Sequence, residues 1–159
     1  MSEPRIVTRS GSGYVLHLGK DERALVARLL DELRELVDEP DEAAAARLFP
    51  VVHADDEVRE AEYQRLTRAD LVTSRIAAID AVGTVLARTG RKVALDEDEL
   101  LAFMQSVNAL RLVLGTVLDI TEDDDLAPSE TLAALPEYQL YGYLSWVLDA
   151  TVQALSGAG

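Results

Sequence analysis

The sequence predicts a mainly α protein: an antiparallel bundle of about five to six helices with a small β-hairpin at its N-terminus. Three observations predict it. Apolar residues recur at helical spacing in several segments joined by short breaks. Glycine and proline, at 9 and 5 of 159 residues, are too scarce to interrupt long helices often, and the abundant Ala, Leu, Glu and Arg lose little on entering one. Near the N-terminus, two β-prone runs flank Ser10-Gly11-Ser12-Gly13, where glycine supplies the positive φ of a tight turn.

Taken in order, Ile6-Val7-Thr8-Arg9 and Tyr14-Val15-Leu16-His17 form the hairpin, over about residues 5–18. Its glycine pair is no phosphate loop, because no third glycine follows at the required spacing and no Lys-Ser/Thr ends the run. A first long helix runs from about Asp21 to Val37, with Leu25, Leu29, Leu33 and Leu36 on one stripe, and Pro40 ends it. Asp41 to Leu48 reads as a short helix closed by Leu48-Phe49-Pro50. A loop with His53, Asp55 and Asp56 leads into a helix over about Val58 to Leu66. Thr67 and Asp70 then resemble a capping box that opens another helix, to about Arg88. Gly90-Arg91-Lys92 makes a break, and Asp96 is placed to cap a very apolar helix reaching about Leu118. Glu97, Asp98 and Glu99 carry the sign that a helix N-terminus favours. Thr121 to Asp125 reads as a surface loop, and Pro128 and Pro136 bracket a short turn. The last helix covers about Glu137 to Leu155. The helical bundle thus spans about residues 20–156, and the chain, residues 1–159, reads as a single domain without internal repeats.

Composition narrows the function. With 29 acidic against 15 basic side chains, the formal charge is −14. Such a field repels phosphate backbones, and most Arg residues sit among Asp and Glu at helical spacing, so direct nucleic-acid binding is not expected. The chain contains no cysteine, which removes disulfides, thiolate catalysis and cysteine-zinc sites. No signal peptide and no apolar stretch approaching the about 20 residues of a bilayer span is evident, so the expected location is the cytoplasm, off the membrane. The acidic clusters at 55–57, 96–99 and 122–125 lack the alternating ligands and central glycine of a calcium loop. His53 near Asp55 makes a poor zinc site, since the chain has only one other histidine, His17. No nucleophile or metalloprotease motif occurs. No metal, no cofactor and no catalysis are the expectations.

Two arginines stand out by their angular position. Leu100, Phe103, Val107, Leu110, Leu114 and Val117 define a buried stripe, and Arg111 falls inside that apolar sector with Asn108 and Gly115 at its edge. Arg75 sits likewise between Val72 and Ile79. A guanidinium in a core needs a carboxylate or several carbonyls, and Glu62, Asp80 and Asp149 are the candidates. One reading is a buried ion pair that fixes helix register, in which case Arg111→Ala costs about 3–5 kcal/mol. The other is an Arg-lined pocket for a small anion, serving a sensor or an enzyme. Trp146 is the other oddity. Tyr141, Leu144, Leu148, Thr151 and Leu155 form the inner stripe of the last helix, and Trp146 points roughly away from it. It either covers a rim of the core or anchors a partner, since Trp is enriched at binding hot spots.

The strings Arg47-Leu48-Phe49-Pro50, Glu62-Tyr63-Gln64-Arg65-Leu66, Leu71 to Arg75 and above all Asn108-Ala109-Leu110-Arg111-Leu112-Val113-Leu114-Gly115 resemble an actinobacterial family. It is the domain-of-unknown-function family twenty-seventeen, and the Trp-bearing segment Tyr141 to Leu148 also fits it. The resemblance spans nearly the whole chain. It implies a gene neighbourhood shared with the Clp protease adaptor. For some members it implies a role as oxidative-stress transcriptional regulators of the AosR type, acting through a sigma factor with a disulfide switch. Without cysteine, that switch cannot operate here. The expected function is therefore a non-enzymatic protein-interaction domain in transcriptional or stress regulation, with a sigma factor or a Clp component as partner. An accessory role in the Clp system and a small-anion sensor built on Arg75 and Arg111 are the alternatives. An isolated hairpin is marginal alone, so residues 6–18 need a helix or a second chain to lie on, and a homodimer is one way to provide it.

Overall fold

The computed structural model describes residues 5–39, 45, 48–49, 51–90, 92–119 and 129–157. Among them are five helices and three short strands: β1 (Val7–Ser10), β2 (Gly13–Leu16), α1 (Lys20–Asp38), α2 (Glu57–Leu86), β3 (Val93–Leu95), α3 (Glu97–Val117), α4 (Glu130–Ala133) and α5 (Pro136–Ser156). The fold is mainly α, as the sequence predicts. The short helix read over Asp41 to Leu48 and the loop over Thr121 to Asp125 lie largely or wholly outside the described residues.

The hairpin turns as its glycine dictates. Gly11 has φ +61° and Ser12 does not share a positive φ, the pattern of a two-residue loop with glycine in its first position. The strands pair Val7 with Leu16 and Ser10 with Gly13. Sequence reading missed the third strand: β2 is central, and β3 joins it antiparallel with Leu16 opposite Val93 and Tyr14 opposite Leu95. Gly13 permits this closeness, since a Cβ there would stand 2.9 Å from the Leu95 carbonyl oxygen. Alternation buries Tyr14, Leu16, Val93 and Leu95 against the helices while Ala94 stays exposed. The hairpin is therefore covered by its own chain.

Helix order follows from specific contacts. Arg23 at the start of α1 donates to the carbonyl of Arg88 just past the end of α2, and Arg34 pairs with Asp80, so the two helices run antiparallel. Arg88 also bridges forward, to Glu99 at the start of α3 (2.5 Å) and to the Ala94 carbonyl of β3 (2.6 Å). α3 packs between α2 and α5, with Gly115 near its end facing Tyr141 near the start of α5. Phe103, Leu100, Leu30, Leu33, Val82, Leu144 and Val147 fill the common core. Burial of such side chains contributes about 1.5–3 kcal/mol each, before the entropy of ordering them is set against it.

Capping marks where the helices begin. Asp96 accepts from Glu99 N at 2.8 Å while the Glu99 carboxylate accepts from Asp96 N at 3.0 Å, a complete capping box. Asp56 caps α2 through Arg59 N, and Gly157 closes α5 in the left-handed conformation, φ +77°.

One boundary differs from expectation. α2 is continuous through Thr67 and Asp70, where the sequence suggested a new start. The Thr67 hydroxyl donates to the Tyr63 carbonyl at 2.7 Å, one turn back, so it serves the helix interior and caps nothing. The 30-residue helix is buried only toward its C-terminal end, at Ile79, Val82, Val85 and Leu86. Its first half carries an exposed Val58 and Leu66.

Helix α3 is long and apolar enough, by length and composition, to cross a membrane, which the sequence reading did not anticipate. The core helix of a globular bundle satisfies the same test, and α3 packs on both α2 and α5.

Candidate functional site

The four residues singled out as a polar or anion site, Arg75, Asn108, Arg111 and Glu62, do not form one cluster. Arg75 projects from α2 toward the segment before it: its Nη1 donates to the Leu48 carbonyl, and its guanidinium lies 5.1 Å from the centre of the Phe49 ring. Two turns earlier on α2, Arg68 lies 4.6 Å from the same ring. Arg75 thus finds a carbonyl and a π face where an ion pair was expected. Burial pushes its guanidinium below the ordinary arginine value, and among the described residues no carboxylate opposes that effect.

Asn108 comes to Arg75 across the α2–α3 interface. The two share a cavity of about 260 Å³ whose lining also includes Ser74, Gln105 and Ser106 among apolar residues of α1, α2 and α3. Ser106 is 2% exposed, and its Oγ has no hydrogen-bond partner among the described residues. Sequence reading passed over it, although a serine among Phe103, Val107 and Leu110 is the kind of polar intrusion that marks such a place.

Arg111 points elsewhere. Its guanidinium lies 5.7 Å from the centre of the Tyr141 ring on α5, and its Nε is buried without a hydrogen-bond partner among the described residues. Among the described residues no carboxylate of another helix bonds it, where the sequence suggested one. Asp80 is held by Arg34 at 2.9 Å, and that hydrogen bond keeps the Asp80 carboxyl below its ordinary value. Glu62 is exposed on the outer half of α2 and Asp149 is exposed on α5. Neither pairs with Arg75 or Arg111. The reason is steric as much as electrostatic: flat rings of Phe49 and Tyr141 occupy the approach to each guanidinium and offer a cation–π contact instead. Gly115 makes the second of these contacts fit, because a Cβ at this position would stand 3.3 Å from Tyr141 Cε2.

Trp146 lies where its angular position placed it. The buried stripe of α5 is Leu144, Val147, Thr151 and Ala154, whereas Trp146 is 44% exposed. Its ring is 6.2 Å from that of Tyr143. The Tyr143 hydroxyl donates to Glu22 of α1 at 3.1 Å, and burial together with that carboxylate pushes its pKa upward. Tyr143 is thus held neutral and fixed, a rigid shelf beside the indole. One turn to either side stand Gly142 and Ala150, the former with open space where a side chain would be. The indole consequently stands proud of its own helix, with the exposed Asp149 one turn on and Glu22 behind Tyr143.

Elsewhere, His53 packs edge-on to Tyr63, and Glu60 accepts from Val52 N, His53 N and Gln64 Nε2. His17 bonds Thr8 Oγ1 at 2.8 Å. Among the described residues no three His, Asp or Glu side chains gather at metal-binding spacing.

Neither a curated protein nor a solved structure shows significant similarity to the chain. The family model described as Domain of unknown function (DUF2017) matches residues 2–155, almost its full length. The chain therefore belongs to the DUF2017 family.

Proposed function

We propose that this chain is a non-enzymatic protein-binding domain, a regulator in transcription or stress response that acts in the cytoplasm through a protein partner. The observation that carries the reading is Trp146, a large aromatic side chain 44% exposed on a helix whose opposite face is fully engaged in the core. Trp supplies the largest apolar area of any side chain at low conformational cost, and is enriched among the residues that dominate interfaces. The neighbouring Tyr143 is locked by Glu22, so little ordering remains to oppose association. Asp149 and Glu22 give the patch an acidic edge, and the whole chain carries −14. Both favour a partner surface bearing Lys and Arg, which accelerates encounter and excludes acidic competitors. The same charge opposes duplex DNA, whose binding draws on neutralised phosphates and released counterions.

The family resemblance offers two kinds of partner, a sigma factor of RNA polymerase or a component of the Clp system. Affinity capture from native extract with tagged wild-type protein and Trp146→Ala separates them. The expected result is one basic-surfaced partner held by the wild type and lost by the variant, whose melting temperature stays unchanged. In mobility-shift assays at low salt the pure protein should leave duplex DNA unretarded. Saturable, salt-sensitive DNA binding would overturn the proposal.

A further inference from the structure

The groove between α2 and α3 contains hydrogen-bonding capacity that the fold leaves unused. Ser106 Oγ is buried without a partner among the described residues and lines the cavity. A buried hydroxyl in that state has lost its bond to water and gained nothing in return. On the α2 side, Arg75 makes one hydrogen bond, to the Leu48 carbonyl, and faces no carboxylate among the described residues. The five donors of a guanidinium leave ample capacity for a further acceptor. Phe49 holds its plane from one side. Ser74, Gln105 and Asn108 add hydroxyl and amide groups, while Leu71, Ile79 and Leu112 supply an apolar wall.

These features select a ligand class. One guanidinium matches one carboxylate, in the two-pronged geometry that arginine favours. Among the described residues the lining contains no second cation, and a chain of charge −14 disfavours polyanions. At about 260 Å³ the cavity falls just below the roughly 300–1,000 Å³ of sites for drug-sized molecules, so the occupant is of simple metabolite size. We propose that this groove binds a small organic monocarboxylate. Its carboxylate sits on Arg75, a hydroxyl or carbonyl of the same molecule pairs with Ser106 and Asn108, and its apolar body lies against Leu71, Ile79 and Leu112. The site is separate from the Trp146 face on α5 and stands or falls independently of it.

The test is a nitrogen-15 NMR titration of the full chain with 3-hydroxybutyrate and salicylate, beside their neutral amides and inorganic phosphate. Both carboxylates should give saturable shifts confined to residues 74–79 and 105–112, with the amides at least about 10-fold weaker, the factor that losing a charge-assisted bond of typical strength produces. Ser106→Ala should weaken the carboxylates several-fold while leaving the melting temperature of the free protein unchanged or higher, a combination that a purely structural serine does not give. Arg75→Gln should abolish binding, and if that variant fails to fold, Ser106→Ala decides alone. The proposal is overturned if no carboxylate saturates by about 10 mM, a concentration covering even very weak binding. Equal binding of the amides, stronger binding of phosphate, or unchanged binding in Ser106→Ala would overturn it equally.

Discussion

Arg111 separates two accounts of the bundle most sharply, because they assign opposite signs to its replacement. If Arg111 were bonded to a buried carboxylate, removing it would strand that charge and cost about 3–5 kcal/mol. The structure shows a guanidinium 5.7 Å from the Tyr141 ring centre with a buried Nε that has no partner among the described residues. Arg111→Met keeps the length and apolar volume of the stem. It loses a cation–π contact of about 0.5–1 kcal/mol and removes an unsatisfied donor that costs about 1–3 kcal/mol. The expected balance is a gain of about 0–2 kcal/mol. For a domain of this size, 1 kcal/mol corresponds to about 2–4 °C in melting temperature. Urea unfolding followed by circular dichroism measures it. With a slope of about 2 kcal/mol/M, a 3 kcal/mol loss would lower the midpoint by about 1.5 M, whereas the ring-stacked geometry leaves it unmoved or raised. A fall of that size at unchanged slope would refute the reasoning and point to a carboxylate at this position.

Two further outcomes follow from the same geometry. Gly115→Leu should destabilise the fold by about 1–3 kcal/mol, because its side chain must displace the Tyr141 ring, while Gly142→Ala, with open space around it, should stabilise α5 by about 0.5–1 kcal/mol; equal melting temperatures for the two would contradict the packing described for α3 and α5. Glu60 is held below its ordinary value by hydrogen bonds, first from Gln64 and then from the His53 and Val52 amides. Its contribution is therefore complete above the ordinary glutamate value of about 4.3 and is lost as pH falls through the lower folded value. Hydrogen-exchange protection at Val52 and His53 should persist at neutral pH, be lost only at pH below the ordinary glutamate value, and be absent in Glu60→Ala at any pH, so equal protection in the variant would argue against the staple.

Much of the architecture is legible in the residues, and the failures have physical causes. The Asp96–Glu99 box is a local device that needs no tertiary information, whereas the 3.6-residue stripes locate the helices better than their inner faces: α1 buries Val26, Leu30, Leu33 and Val37 where the sequence favoured Leu25, Leu29, Leu33 and Leu36, and Val117, read as part of the α3 stripe, is exposed. Strand β3 was invisible because Val93-Ala94-Leu95 is too short to show a period, and its partner β2 lies some 80 positions earlier. The continuity of α2 was hidden for the opposite reason. Its first half buries nothing, so no stripe crosses Thr67, and a hydroxyl that bonds one turn back looks in sequence like one that caps. Helical angles put Trp146 on the outer side of α5, where it is exposed, and put Arg75 and Arg111, each half-buried, beside the apolar faces of α2 and α3. They could not say what each side chain would meet, since Phe49 and Tyr141 arrive from elsewhere in the chain. Ser106 escaped notice because a lone serine in a stripe becomes informative only once its partners are seen to be missing.

The central claim is that the Trp146 face of α5 receives a protein partner. A photo-crosslinking aromatic amino acid placed at position 146 in living cells, which keeps a large ring in the anchor's place, tests it most directly, with position 152 as the control: Val152 is equally exposed but about 120° away around the helix. The account expects a single protein adduct from position 146 that weakens at high salt, and none from position 152. No adduct from position 146, indistinguishable adducts from the two positions, or crosslinking to nucleic acid would contradict it.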